Sequence, residues 1–395
     1  MATEAATRQR YLVISNGHGE DAIGAALARR LAKSDSVDAY PMIGSGKAYD
    51  GVCGIVGPRA TLASEGWRNV KGSLRRDVVS GGLMTVPPAL RFLRSIRGIY
   101  DRVVVVGDMV GILAALAAGL DRLIYLDVYK TGAARLYSRA ETWAIARTCR
   151  TVFCRADSLA ARLRQAGVDA RAAGNIMMDA IPTGDYNARA RRRDLLAVTL
   201  LPGSRALTSE SFALQIAALR LLPAAERPDV FLAVAGSVNV EELARAADLR
   251  RTALLSSEAD DLGELSDGNL TVHMARGAAM GNLISASDVV LSQAGTATIQ
   301  SLGLGRPVIT FMNPRDRRSR FTDEQNLFGE ARTVVEARAA DIAAALRQLL
   351  DNHPERLRLA NIGRDRIGGP GAMDAIVAEI LASTRTRRPL PNPLV

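Results

Sequence analysis

DVVLSQAGTATIQSLGLGRPVITF, residues 288–311, holds a strand, a tight loop, a helix and a second strand in one unbroken run. DVVLS (288–292) and PVITF (307–311) are apolar at successive rather than alternate positions, so each strand must be covered on both faces. Between them, QAGTAT supplies small residues for a turn, and GLGRP returns the chain after the helix. Strand, helix and strand of this kind make a parallel pair.

The same unit recurs along the chain. YLVIS (11–15), VVVVG (103–107), LIYLD (123–127), TVFC (151–154), LAVTLLPG (196–203) and VFLAVAG (230–236) have the same apolar character. Amphipathic stretches such as AIGAALARRLA (22–32) and SESFALQIAALRLL (209–222) separate strands of this series. The fold class expected is α/β and doubly wound. At 395 residues the chain exceeds one ordinary core, and domains of about 150–200 residues are the prior. IPTGDYNARARRRD breaks the pattern with Pro, Gly and clustered charge, and a second series begins at LLAVTLLPGSR.

Two Rossmann-like domains facing across a cleft are therefore expected. Residues 1–180 form the first, 181–194 a linker and 195–365 the second. A helix over 366–383 crosses back to the first domain, and 384–395 is a flexible basic tail. In such sheets ligands bind beyond the carboxyl ends of the strands.

A formal charge of +10 favours an acidic partner: nucleic acid, anionic lipid or a phosphorylated small molecule. Nucleic acid is the weakest of these, because the basic residues lack interleaved aromatics for base stacking. Cys53, Cys149 and Cys154 have no CxxC spacing, which argues against a disulfide framework or zinc site and fits a reducing cytosol. The N-terminus has no apolar signal core, and GILAALAAGL (111–120) is too short to span a bilayer.

Three loops of the second domain carry the expected chemistry. In LPGSRALTSES (201–211), Gly203 allows a tight turn, Ser204 caps the helix or meets a phosphate, and Arg205 adds a forked cation. In the opening stretch, Gly295, Thr296 and Ala297 let main-chain N–H groups approach a diphosphate, and Gln300 stands one turn further on. Arg276 and Gly277 sit at a turn that suits a nucleobase edge, while His273 beside them packs on its strand. No GxxxxGK[ST], HExxH or GxSxG is present; in GSGKAY (44–49) the glycines are too close and Lys47 precedes Ala48.

LPGSR, the Arg-Gly turn, ASDVVLSQAGTATIQSLGLGRPVI and DEQNLFGE, in that order, resemble the lipid-A-disaccharide synthases and their relatives. GNIMMDAI (174–181) resembles their interdomain crossing, and the likeness runs from about residue 11 to 375. A more distant likeness is to the peptidoglycan N-acetylglucosaminyltransferase. The resemblance implies a GT-B glycosyltransferase that binds a UDP-sugar in its C-terminal domain and an acceptor in its N-terminal one, with no metal and no cofactor. It places Gly203, Ser204 and Arg205 on the donor phosphates, Arg276 and Gly277 near the base, Gly295, Thr296 and Ala297 at the diphosphate, and Gln325 and Asn326 beside the nucleotide. Gln300 replaces a usual Glu that would meet the ribose, Ile176 a usual Pro, and SNGHGED (15–21) a Gly-Glu-Ser-Gly-Asp type of loop.

An inverting sugar transfer needs a base for the acceptor hydroxyl. Gly17 and Gly19 let SNGHGED enter the ligand site, His18 titrates near neutrality, Glu20 orients it or favours the helix start, and Asp21 caps that helix. Asp108, directly after VVVVG, is the rival base, or a helix cap, and the resemblance places a catalytic acid there. The stretch 59–98 is basic and carries Trp67, Leu83, Met84, Val86 and Phe92, either buried or set on an anionic membrane. The expected partners are a nucleotide-sugar, an amphiphilic or glycan acceptor and an anionic surface, without nucleic acid, and a homodimer is compatible. The expected place is the cytoplasm, peripheral on the inner face of the cytoplasmic membrane. The alternatives are a non-hydrolysing UDP-sugar 2-epimerase, or a nucleotide-sugar or lipid-binding protein without catalysis.

Overall fold

The first strand, β1 (Arg10–Ser15), shows why these runs are apolar throughout. Leu12 and Ile14 enter one core and Tyr11 and Val13 the core on the opposite face, each side chain at most 1% exposed. Burial of that kind contributes about 1.5–3 kcal/mol per large side chain. The computed structural model describes residues 8–60, 82–132, 136–203, 207–252, 258–312 and 318–385, and divides into two units, 1–180 with 370–395 and 181–369.

In the first unit β1 is followed by α1 (His18–Leu31), β2 (Ser36–Pro41), β3 (Gly54–Ile55), α2 (Val86–Ser95), β4 (Arg102–Gly107) and α3 (Met109–Ala118). Then come β5 (Leu123–Asp127), α4 (Arg139–Thr148), β6 (Cys149–Cys154), α5 (Asp157–Gln165) and β7 (Asp169–Ala172). Among the described residues the sheet order is β3-β2-β1-β4-β5-β6-β7, and every pair is parallel.

The second unit holds β8 (Ala197–Leu201), α6 (Thr208–Arg220), β9 (Asp229–Val234), α7 (Val240–Ala246), β10 (Arg250–Arg251), β11 (Asp261–Ser266) and β12 (Thr271–Arg276). It continues with α8 (Met280–Ser285), β13 (Val289–Ser292), α9 (Thr296–Gly303), β14 (Val308–Met312), α10 (Arg318–Phe328), β15 (Arg332–Glu336), α11 (Ala339–Asp351) and α12 (His353–Ile367). The order is β10-β11-β12-β9-β8-β13-β14-β15, parallel from β12 onward, with β10, β11 and β12 paired antiparallel at one edge. The last helix, α13 (Ala372–Arg385), returns to the first unit, where Ala372, Met373, Ile376 and Ile380 join the core under α1 and Arg30 pairs with Asp374 at 2.8 Å.

The arginine cluster before β8 is held on the second unit by acids. Arg191 pairs with Glu258 at 3.0 Å and Asp261 at 2.9 Å, Arg192 with Asp288 at 3.0 Å, and Arg193 with the buried Asp229 at 2.7 Å. Among the described residues no helix is long and apolar enough to cross a membrane. The described cysteines form no disulfide.

Candidate functional site

Strand order reverses between β1 and β4, because the chain leaves β1 toward β2 and leaves β4 toward β5. Parallel sheets open a crevice at such a point beyond the strand ends. Asn16, after β1, donates from Nδ2 to Asp108 Oδ1 at 2.7 Å, and Val110 N–H donates to the same oxygen at 2.8 Å. Asp108 is thus the N-cap of α3 and a partner of the first loop at once. Gly107, at φ +144°, makes the approach feasible: a Cβ there would lie 2.4 Å from Asn16 Oδ1. Glu20 folds back over the same place, with Oε2 2.6 Å from where a Gly17 Cβ would stand and Cγ 3.3 Å from where a Gly107 Cβ would stand.

Asn16, Gly17, Glu20, Gly107 and Asp108 therefore share one corner. His18 begins α1, but its side chain lies outside the described residues, and Gly19 occupies the first turn. Asp21 is no helix cap. It is 1% exposed and accepts from Ser15 Oγ at 2.6 Å, and Ser15 Oγ lies 2.8 Å from the Tyr49 hydroxyl, whose pKa burial raises. The N-cap position belongs to Gly17, which has no side chain to offer.

Beside this corner, at the ends of β5 and β6, lies a cluster the motif reading did not find. Asp127, 3% exposed, accepts from Tyr129 N–H at 2.9 Å, Lys130 N–H at 3.0 Å and the Tyr137 hydroxyl. Burial pushes its carboxyl pKa up, and those hydrogen bonds only partly oppose the shift. Lys130 Nζ stands 2.8 Å from Glu141 Oε1. Burial works against the Glu141 carboxylate, but bonds from Lys130 and from Ser138 N–H outweigh it and hold its pKa below the ordinary value. The one signal in the sequence was position: Asp127 ends LIYLD, and Arg155 directly follows TVFC.

In the second unit the order reverses between β8 and β13. Gly203, at φ +103°, leaves β8, and a Cβ on it would lie 3.8 Å from Gln293 O in the loop after β13. That loop is braced from beneath: Gln293 Nε2 donates to Thr310 Oγ1 at 3.1 Å and Phe311 O at 3.0 Å, and Thr298 Oγ1 donates to Ala294 O at 2.6 Å. Gly295 is the N-cap of α9 and provides no side-chain bond, so the first N–H groups of Thr296 and Ala297 are uncapped by any side chain. Thr296 is exposed. The structure thus sets Gly203 beside Gln293, at the start of the loop that leads to Gly295–Ala297, whereas Ser204 and Arg205 lie outside the described residues.

Arg276 ends β12 and Gly277 follows it, two strands from β8 on the same edge. Arg276 Nη2 reaches Val238 O at 3.4 Å, and Gly277 at φ +63° packs against Asp260. Two expected contacts need correction. Gln300 is only 3% exposed, so its amide lies within the packing of α9 rather than at a ribose-facing surface. Gln325 spends its amide internally, donating to Gly329 O at 2.8 Å and Arg332 O at 3.1 Å and accepting from Arg332 Nε at 3.2 Å. Asn326 has an exposed side chain, and its carbonyl accepts from Arg366 at 3.0 Å.

No protein-family model and no curated protein matches the chain. Solved structures do. A putative UDP-N-acetylglucosamine 2-epimerase from Listeria monocytogenes aligns over 98% of this chain and 100% of its own, with 15% identity and a TM-score of 0.62. UDP-GlcNAc 2-epimerase from Neisseria meningitidis, solved bound to UDP-GlcNAc, aligns over 94% and 100% with 15% identity and a TM-score of 0.58. The glycosyltransferase SnogD from Streptomyces nogalater aligns over 95% and 100% with 17% identity and a TM-score of 0.59. The fold is α/β with two Rossmann-like sheets, of the GT-B type.

Proposed function

We propose that the chain is an inverting glycosyltransferase, independent of metal, which moves a sugar from a nucleotide donor of the UDP type to a lipid-linked or lipid-like glycan. One observation carries the reading. The second sheet reverses beside Gly203, where α9 begins without a side-chain cap, so main-chain N–H groups face outward at the strand ends. Such groups stabilise an anion, and a departing diphosphate is the anion a sugar transfer creates. Arg205, two residues past Gly203 in the sequence, is the cation this reading assigns to the diphosphate.

The first unit supplies the proton acceptor at its own reversal, from Asp108 with Asn16 and Glu20 around it and His18 adjacent in sequence. A membrane acceptor is supported by Met84, 78% exposed, in the turn before α2, by Val86, 47% exposed, at its first position, and by Leu113, 51% exposed, on α3. The test is calorimetry with UDP, followed by mass spectrometry of reactions of UDP-sugars with extracted lipids. Binding of UDP and a glycosylated lipid product are expected; no association with any nucleotide-sugar overturns the reading.

A second reading, a UDP-sugar 2-epimerase, is favoured by Asp108, Asp127, Lys130 and Arg155 at or just past the ends of β4, β5 and β6, with Glu141 of α4 paired to Lys130. Its weakness is that Asp127 and Glu141 are engaged in internal hydrogen bonds. Incubation of the UDP-sugar without an acceptor separates the two: epimerisation supports the second, an unchanged donor the first.

A further inference from the structure

At the amino ends of the parallel strands of the second unit, opposite the ends that lead to Gly203 and Gly295, arginines from three segments meet. Arg306, just before β14, donates from Nη2 to Ser285 O at 2.8 Å, and Arg192, before β8, donates from Nη1 to Ala286 O at 2.9 Å. These are consecutive carbonyls where α8 ends, so the two guanidinium groups share one helix end. Arg364, on α12, lies against Gly305: a Cβ there, at φ +70°, would stand 2.4 Å from the Arg364 Cζ. Arg189, exposed, is close enough to act on Arg306 by charge.

The acid beside them is Asp288, and it is already engaged: Oδ2 accepts from Arg192 Nη2 at 3.0 Å and from Ala197 N–H at 2.8 Å. Arg306 keeps a buried Nε with no hydrogen-bond partner among the described residues. Burial lowers its pKa, Asp288 opposes that, and Arg364, Arg189 and Arg192 lower it further. Arg364 donates from Nη1 to Asn361 Oδ1 at 3.1 Å. A guanidinium offers five N–H donors, so closing α8 leaves capacity on Arg306, and Asn361 leaves capacity on Arg364. Like charges gathered around one committed carboxylate repel one another, and an unpaired buried donor costs free energy. A phosphate group answers both: it carries up to two charges, and its oxygens point in several directions toward cations that arrive from different segments.

We infer that Arg306, Arg364 and Arg189 form a binding site for a phosphate-bearing anion at the amino ends of β8, β13 and β14. The site is separate from the loops assigned above to the diphosphate. Asp288 directly precedes β13 and Gly295 follows it, so the length of that four-residue strand, about 13 Å, stands between the two places. The ligand is therefore a second anion, and its binding does not depend on the glycosyltransferase reading. Occupancy would brace the amino ends of the strands whose carboxyl ends carry the diphosphate loops.

The experiment uses the full chain at constant ionic strength, saturated with UDP to occupy the diphosphate loops, and titrates inorganic phosphate by calorimetry and thermal shift. Vesicles of phosphatidic acid in phosphatidylcholine form a second arm, and poly-glutamate a third. Wild type is compared with R306M and with the double variant R189Q/R364Q. Arg189 and Arg364 are exposed, so the double variant carries the test if R306M fails to fold. Phosphate is expected to raise the melting temperature of the wild type, and each variant to weaken phosphate binding roughly tenfold or more. Arginine-dependent binding of inorganic phosphate identifies a free anion, and arginine-dependent binding of the vesicles alone identifies a lipid phosphate; both support the site. Equal phosphate and vesicle binding by wild type and R189Q/R364Q overturns it, as does equal stabilisation by chloride at the same ionic strength. Tighter retention by poly-glutamate than by either phosphate source assigns the patch to an acidic protein and overturns the phosphate proposal. If UDP fails to bind while phosphate binding still depends on Arg364, the donor reading falls and this site remains.

Discussion

Asp108→Asn separates a base from a cap. In the structure one oxygen, Oδ1, accepts both Val110 N–H at 2.8 Å and Asn16 Nδ2 at 2.7 Å. An asparagine oriented with Oδ1 in place keeps both acceptances, and Asn and Asp are equivalent N-caps. What is lost is the charge assistance to the bond from Asn16, about 1 kcal/mol. Asp108→Ala removes the cap, about 0.5–2 kcal/mol, and strands the Asn16 amide, about 1–3 kcal/mol more. Removal of a general base costs about 10²–10⁴ in rate, or roughly 3–5 kcal/mol of barrier. D108N is therefore expected to unfold in urea within about 1.5 kcal/mol of wild type, yet to lose at least about a hundred-fold in kcat. D108A is expected to be markedly less stable. The assay is UDP release at saturating donor beside urea denaturation of each variant. Turnover of D108N within threefold of wild type would remove Asp108 as the base. Equal destabilisation by D108N and D108A would show that the shared hydrogen bonds are drawn wrongly.

Other outcomes follow from the same geometry. His18→Ala is expected to lower kcat by about a hundred-fold or more, and unchanged turnover removes His18 from proton transfer. Arg191→Met leaves Asp261, whose side chain is 1% exposed, without its cation at 2.9 Å, and is expected to cost about 3–5 kcal/mol in urea denaturation; Asp261→Asn in that background should recover much of it. Burial lowers the pKa of His273 below 6.5 and outweighs the charge of Glu264, whose Oε1 lies 2.9 Å from Nδ1. The folded protein then binds fewer protons than the unfolded one, so this contribution is present above pH 6.5 and is lost as pH falls below it. His273→Gln is expected to shrink the fall in melting temperature between pH 7.5 and about 5. Gly203→Ala meets no close atom but forces a side chain into φ +103°, so a stability loss of about 1–2 kcal/mol with weaker UDP binding is expected from calorimetry.

The parallel strands were legible because their two faces are both buried: Leu12 and Ile14 enter one core and Tyr11 and Val13 the other, and no polar alternation interrupts them. The antiparallel edge was not, since β11 alternates buried and half-buried residues and carries Asp261, Gly263, Glu264 and Ser266. In the site, Asp108 and Gly295 were legible as residues that end a strand and open a helix. Asn16 was missed because its partner lies 92 positions away. The cluster Arg191–Arg193 reads as a solvated linker for the same reason: its acids, Asp261, Asp288 and Asp229, stand 70, 96 and 36 positions downstream of their arginines. Motifs record local turns, whereas pairing partners are chosen by the sheet order.

That distinction also decides what the charge of +10 means. Arginine is used repeatedly here to close helix C-termini, where main-chain carbonyls lack partners. Arg97 donates to Ala118 O at the end of α3, and Arg227 to Arg220 O at 3.0 Å and Leu222 O at 3.1 Å past α6. Arg306 donates to Ser285 O at 2.8 Å on α8, Arg366 to Asn326 O at 3.0 Å on α10, and Arg356 to Leu349 O at 2.6 Å on α11. Each of these cations also offsets the negative end of a helix dipole. A basic composition built this way is internal structure, and it weakens any inference from net charge to an acidic macromolecule.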